Sequence, residues 1–148
     1  MQNIRPATAL FALLITSAAS AGPLRGALIV AADGTFLGTC NGSYDNLSIS
    51  NAFGKYGSEY NGSSIFNKYG SYGSEYSSSS AFNPYTSSAP YILAADPDLI
   101  SMFTAFNYRP TPKIVDALRA SGANRVSANR NLLRAIDPNA LRVACANP

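Results

Sequence analysis

By the spacing of its apolar and polar positions, the chain divides into three stretches. The segment ALIVAADGTFLGTC, Ala27 to Cys40, alternates around Asp33-Gly34. It predicts strand, turn, strand, because Asp-Gly is a favoured two-residue connection between antiparallel strands. A related pattern returns downstream in YILAADPDLISMF, Tyr91 to Phe103, with the same Ala-Ala-Asp shoulder and Asp96-Pro97-Asp98 as the predicted turn. Two hairpins of this kind predict a small antiparallel sheet, and the residues between them an excursion anchored at both ends.

That excursion is an internal repeat. In register the units are SISNAFGKYGSEYNGS (48 to 63), SIFNKYGSYGSEYSSS (64 to 79) and the partial SAFNPYTSSAP (80 to 90), a period of 16 residues. Asn51, Asn67 and Asn83 share one column and Phe53, Tyr69 and Tyr85 another, while Gly57-Ser58-Glu59-Tyr60 matches Gly73-Ser74-Glu75-Tyr76. Running the register backward puts Gly38 and Tyr44 on the same columns. Phe53, Tyr56 and Tyr60 have helical spacing, but Gly54 and Gly57 lie between them, and each costs about 1 kcal/mol against Ala inside a helix. With no period-two alternation either, each unit is expected to be a run of tight turns in which Gly and Asn supply positive φ angles. A single unit has too few apolar side chains to bury. Stacked units are expected to cohere through tyrosine rings that cover one another and keep their hydroxyls in water.

The third stretch reads as helical. Thr111-Pro112 is an N-cap followed by proline at the first helical position, Ile114, Val115 and Leu118 mark one face, and Ser121-Gly122 stops it. A second helix is expected from Ser127, with Leu132, Leu133 and Ile136 inward and Arg130 and Arg134 outward. Asp137 to Leu141 is expected to start a last short turn leading to Cys145. The predicted fold class is therefore small α+β: two β-hairpins flanking an irregular Tyr/Gly/Ser repeat of 16 residues, then a short C-terminal helical segment.

Composition changes this picture at the start of the chain. Arg5, the apolar run Ala7 to Ala19 and the small residues Ala19-Ser20-Ala21 have the layout of a secretory signal peptide. The run is shorter than the roughly 20 apolar residues needed to cross a bilayer. The expected organisation is a signal peptide over 1–21, a hairpin and aromatic-repeat region over 22–109, and a basic helical tail over 110–148, the last two forming one mature domain. Export to a periplasmic or extracellular space follows, and an integral membrane protein is not expected.

Of 148 residues, 47% are apolar, yet residues 48 to 90 hold only Ile49 and Ile65 as branched aliphatics, so the core is expected to be modest. Charge is uneven: Gly22 to Tyr108 is net acidic, whereas seven basic residues follow from Arg109 onward against Asp116 and Asp137. Basic outer helix faces account for this, and an anionic partner surface is the alternative. Cys40 and Cys145 form no CxxC pair, and in an exported protein they are expected to form one disulfide.

The chain has no histidine, which removes Ser-His-Asp and Cys-His nucleophilic arrangements and the commonest zinc ligand. Glu59 and Glu75 recur at the period; their simplest role is to keep a tyrosine-rich surface soluble. Asp96 and Asp98, with Asp33 on the matching turn, are weak calcium candidates without EF-hand spacing. No phosphate-cradling GxxxxGK[ST] or GxGxxG occurs. Export and the acidic repeat disfavour nucleic acid. No catalytic residue, metal or cofactor is expected. Asn41, Asn46 and Asn61 begin N-glycosylation patterns that matter only in a eukaryotic chain.

The string S-I-x-N-x-[FY]-G-x-Y-G-S-x-Y, at Ser48 to Tyr60 with a looser copy at Ser64 to Tyr76, resembles a group of exported bacterial proteins of unknown function. Those proteins similarly place A-x-D-G-x-[FY]-L-G ahead of the repeat, as Ala31 to Gly38 does here, and often carry N-P-[FY], found here at Asn83-Pro84-Tyr85. The resemblance covers residues 28 to 110 and implies export from a bacterium, with no activity attached. The expected function is non-enzymatic: an envelope protein whose repeat is a structural or glycan-recognition surface, with Tyr56, Tyr60, Tyr72 and Tyr76 as candidate stacking residues. The alternative is an accessory subunit or inhibitor that binds another exported protein through its hairpin edge or basic helices.

Overall fold

The computed structural model describes residues 24–147, so the signal-peptide segment 1–21 lies outside the described residues. Strand β1 (Leu28–Val30) and strand β2 (Phe36–Thr39) pair antiparallel. At their turn Asp33 accepts from the Thr35 amide at 3.0 Å, and Gly34 takes φ +92. The first hairpin is thus as the sequence predicts. Its register shifts between Leu28 and Val30, and opposite that irregularity Gly38 takes φ +113. A Cβ on Gly38 would stand 2.7 Å from the Cβ of Tyr56, so its absence seats that ring against the sheet.

Strand β3 (Tyr91–Leu93) pairs antiparallel with the other edge of β1. The second hairpin does not form. Asp96 instead caps helix α1 (Pro97–Phe103), its side chain accepting from the amides of Asp98 at 2.8 Å and Leu99 at 3.3 Å. An Asp-Pro pair fits a turn and a helix start equally well locally. Burial of Leu99 and Phe103 on one helical face decides for the helix.

Helix α2 (Pro112–Ala120) begins at the predicted Thr111 cap, buries Leu118 and ends at Ser121. Strand β4 (Asn124–Val126) then pairs antiparallel with β3, and strand β5 (Ala135–Ile136) pairs parallel with β4. The sheet has five strands in the order β2-β1-β3-β4-β5. The helix expected from Ser127 is absent. Ser127 accepts from the Asn129 amide at 3.0 Å and Asn129 from the Asn131 amide at 3.1 Å, local bonds that compete with helical ones. Arg134 has φ +60, and Leu133, expected inside, is 82% exposed. Asp137 starts more than a short turn: it caps helix α3 (Pro138–Ala146), which carries Cys145 to Cys40. Their disulfide spans a sequence separation of 105 with the Cα atoms 4.9 Å apart. The protein is a small α+β fold.

The repeat is a spiral of turns. In the second unit the amides of Asn67, Gly70, Ser74, Ser77 and Ser80 donate in succession to the carbonyls of Ser64, Asn67, Gly70, Ser74 and Ser77, at 3.1–3.4 Å. Steps of three residues, with one of four at Gly70 to Ser74, therefore add up to the 16-residue period. None of the glycines between 48 and 90 has positive φ, contrary to expectation. Gly57 and Gly73 are needed for room, since a Cβ there would lie 2.1 Å and 2.2 Å from the carbonyl oxygens of Asn51 and Asn67.

Cohesion does not come from stacked tyrosines either. The inward columns are Ser48, Ser64 and Ser80 followed by Ile49, Ile65 and Ala81, all fully buried. Each isoleucine contributes about 1.5–3 kcal/mol by burial. The serine oxygens are partnered locally: Ser48 donates to the Asn41 carbonyl at 2.6 Å, while Ser64 and Ser80 accept from the amides of Phe66 and Phe82. The excursion is anchored at both ends. The Ile49 amide donates to Thr39 at 2.9 Å, and the Ala128 amide donates to Ala81 at 2.7 Å.

Candidate functional site

Each unit fixes its outward rings by the same device. The side-chain oxygens of Asn51, Asn67 and Asn83 accept from the amides of Phe53, Tyr69 and Tyr85 at 3.0 Å. Their amide nitrogens reach back six residues to the carbonyls of Asp45, Asn61 and Ser77 at 3.0–3.2 Å. The ring that follows each asparagine by two is thereby turned to solvent, and Phe53, Tyr69 and Tyr85 are 90–99% exposed. A second outward column is built on serine turns, with Ser58 and Ser74 accepting from the amides of Tyr60 and Tyr76. Tyr60 and Tyr76 are 85% and 86% exposed, and Tyr44 continues their column.

Among the predicted stacking residues the structure brings Tyr60 and Tyr76 to the surface and buries the other two wholly or in part. Tyr56 is 8% exposed, its ring set edge-on to Phe36 at 5.1 Å. Tyr72 is half-buried and donates to Asp33 at 3.3 Å. Burial raises the pKa of both hydroxyls.

Tyr69 and Tyr76 border an open groove of about 670 Å³ that also takes in Glu59, Glu75, Asn139 and Arg142. Its floor is Phe66 and Phe82, in edge-to-face contact at 5.9 Å. Arg142, from α3, lies 4.2 Å above the Phe66 ring and donates to the Gly57 carbonyl at 3.0 Å. Desolvation lowers its pKa, against the pull of Glu59. The basic tail thus turns a guanidinium inward onto the repeat. Phe53 and Tyr60 border a second, smaller depression of about 370 Å³ one unit earlier. Hydrogen bonds to Glu59 and Glu75, reinforced by their negative charge, raise the pKa of Tyr60 and Tyr76.

Flat rings beside carboxylate, amide and hydroxyl groups present apolar faces and hydrogen-bonding edges together. Sequence reasoning missed Tyr69 and Arg142. The signal for Tyr69 was its column: a ring two residues after Asn is held outward by the Asx turn, whereas Tyr56 and Tyr72 precede glycines where the chain closes on itself. Nothing local marked Arg142, which reaches the groove only because the disulfide and α3 return the chain end to the repeat.

No calcium site assembles from the weak candidates: Asp96 is engaged as a helix cap and Asp33 by Thr35 and Tyr72. Among the described residues no group of three or more His, Cys, Asp or Glu stands together as metal ligands. Among the same residues no helix is long and apolar enough to cross a membrane. No family model, curated protein or solved structure matches the chain.

Proposed function

We propose that this is an exported, non-enzymatic envelope protein that binds a cell-envelope glycan on the aromatic face of its repeat. The observation behind this reading is the pair of outward columns, Phe53/Tyr69/Tyr85 and Tyr44/Tyr60/Tyr76, carried on a scaffold of glycine and serine. Exposing so many large rings from a backbone that holds them fixed favours recognition over packing. Sugar rings offer an apolar C–H face for stacking and hydroxyls for Glu59, Glu75 and Asn139. The signal-peptide layout of the sequence and the disulfide between Cys40 and Cys145 support the location.

Co-sedimentation with purified peptidoglycan tests the reading. The mature chain is expected in the pellet, and the Tyr60→Ala/Tyr69→Ala/Tyr76→Ala variant in the supernatant with unchanged circular dichroism. Retention that ignores these substitutions contradicts it. Retention of a secreted protein in place of the glycan would favour the accessory-subunit alternative, for which β2 is the hairpin's edge strand in the sheet.

A further inference from the structure

We propose that the repeat reads a linear polysaccharide at two period-related ring pairs one unit apart, so that the length of the glycan chain, and not a single sugar, determines affinity. The inference rests on the glycan reading above and specifies its ligand.

The ring pairs Phe53/Tyr60 and Tyr69/Tyr76 are related by the 16-residue period, although the groove beside the second pair is larger and alone takes in Phe66, Phe82 and Arg142. The supports beneath them match. Asn51 and Asn67 hold the first ring of each pair at 3.0 Å, and Ser58 and Ser74 hold the second at 3.0 and 3.2 Å. Glu59 follows Ser58 and precedes Tyr60 as Glu75 follows Ser74 and precedes Tyr76, and both carboxylates border the groove between the two ring pairs.

Two like ring pairs on one scaffold match a partner that repeats its chemistry along its length. This face offers a protein partner no branched aliphatic anchors. Within the groove Glu59 and Glu75 face Lys68 and Arg142, so the lining is balanced in charge and suits neutral or N-acetylated sugars. Once one point is engaged, the second binds from a high effective concentration set by the polymer itself.

The test uses the mature chain and peptidoglycan glycan strands freed of peptide and fractionated by length, with binding followed by calorimetry. Affinity is expected to rise on the order of tenfold or more from disaccharide to strands of six or more sugars. Tyr60→Ala and Tyr76→Ala should each abolish most of that gain. Affinity flat with length overturns the two-point inference and leaves glycan binding standing. A length gain that survives both single substitutions also overturns it. Failure of every strand length to bind, with the wild-type fold intact, removes the glycan reading itself.

Discussion

A β-carbon placed on Gly73 would stand 2.2 Å from the carbonyl oxygen of Asn67. That contact is with backbone, which cannot step aside as a flexible side chain would. Gly73→Ala must therefore open the turn spiral, and a loss of about 2–4 kcal/mol is expected from the denaturant midpoint. Gly62 has nothing within 4 Å of the same position, so Gly62→Ala should change stability by less than about 0.5 kcal/mol. Equal effects at the two glycines would contradict the close-approach account.

Cys40 and Cys145 close a loop with a sequence separation of 105 between β2 and α3. Loop-closure entropy alone gives about 4.7 kcal/mol for a loop of this length, an upper figure because the unfolded chain is not a featureless polymer. The Cys40→Ser/Cys145→Ser variant should lose a large part of it and also loosen Arg142 from the repeat. Denaturant titration with and without reductant measures the first effect. Protection of the Gly57 carbonyl environment by carbon chemical shift measures the second.

Tyr108 donates to the Gly34 carbonyl at 2.7 Å, and burial, then the charge of Asp33, pushes its pKa up from 10.0 to about 12. Below pH 10 the hydroxyl is protonated in both folded and unfolded chains and adds no pH dependence. From pH 10 to about 12 the unfolded chain releases its proton first, so stability falls across that window. Tyr56 and Tyr72 are raised first by burial and steepen the fall. Tyr108→Phe is expected to be less stable at pH 7 by about 1 kcal/mol for the lost hydrogen bond, yet to decline less steeply above pH 10.

Much of the frame is legible in the sequence because the decisive signals are local. Asp33-Gly34 specifies the hairpin turn, Thr111-Pro112 the start of α2, and the Asn columns the period. The misread elements depend on distant partners. Asp96-Pro97 suits a turn or a cap, and only the core seat of Leu99 and Phe103 decides. Leu132 and Leu133 stand at helical spacing from Ile136, but Ser127 and Asn129 divert the backbone by accepting from the amides of Asn129 and Asn131, and pairing of β5 with β4 fixes the path. The direction of each tyrosine was hidden for a similar reason. Tyr56 and Tyr72 share one column and Tyr60 and Tyr76 another, and the sequence does not show that the first column meets Phe36 and Asp33, outside the repeat.

The claim that rings held outward by the turn spiral form the recognition surface is tested most directly by NMR of tyrosine ring resonances during titration with soluble glycan strands. The account predicts shifts at Tyr60, Tyr69 and Tyr76, with Tyr56 and Tyr108 unmoved. Saturable binding that shifts Tyr56 or Tyr108 while the outward rings stay still would contradict it.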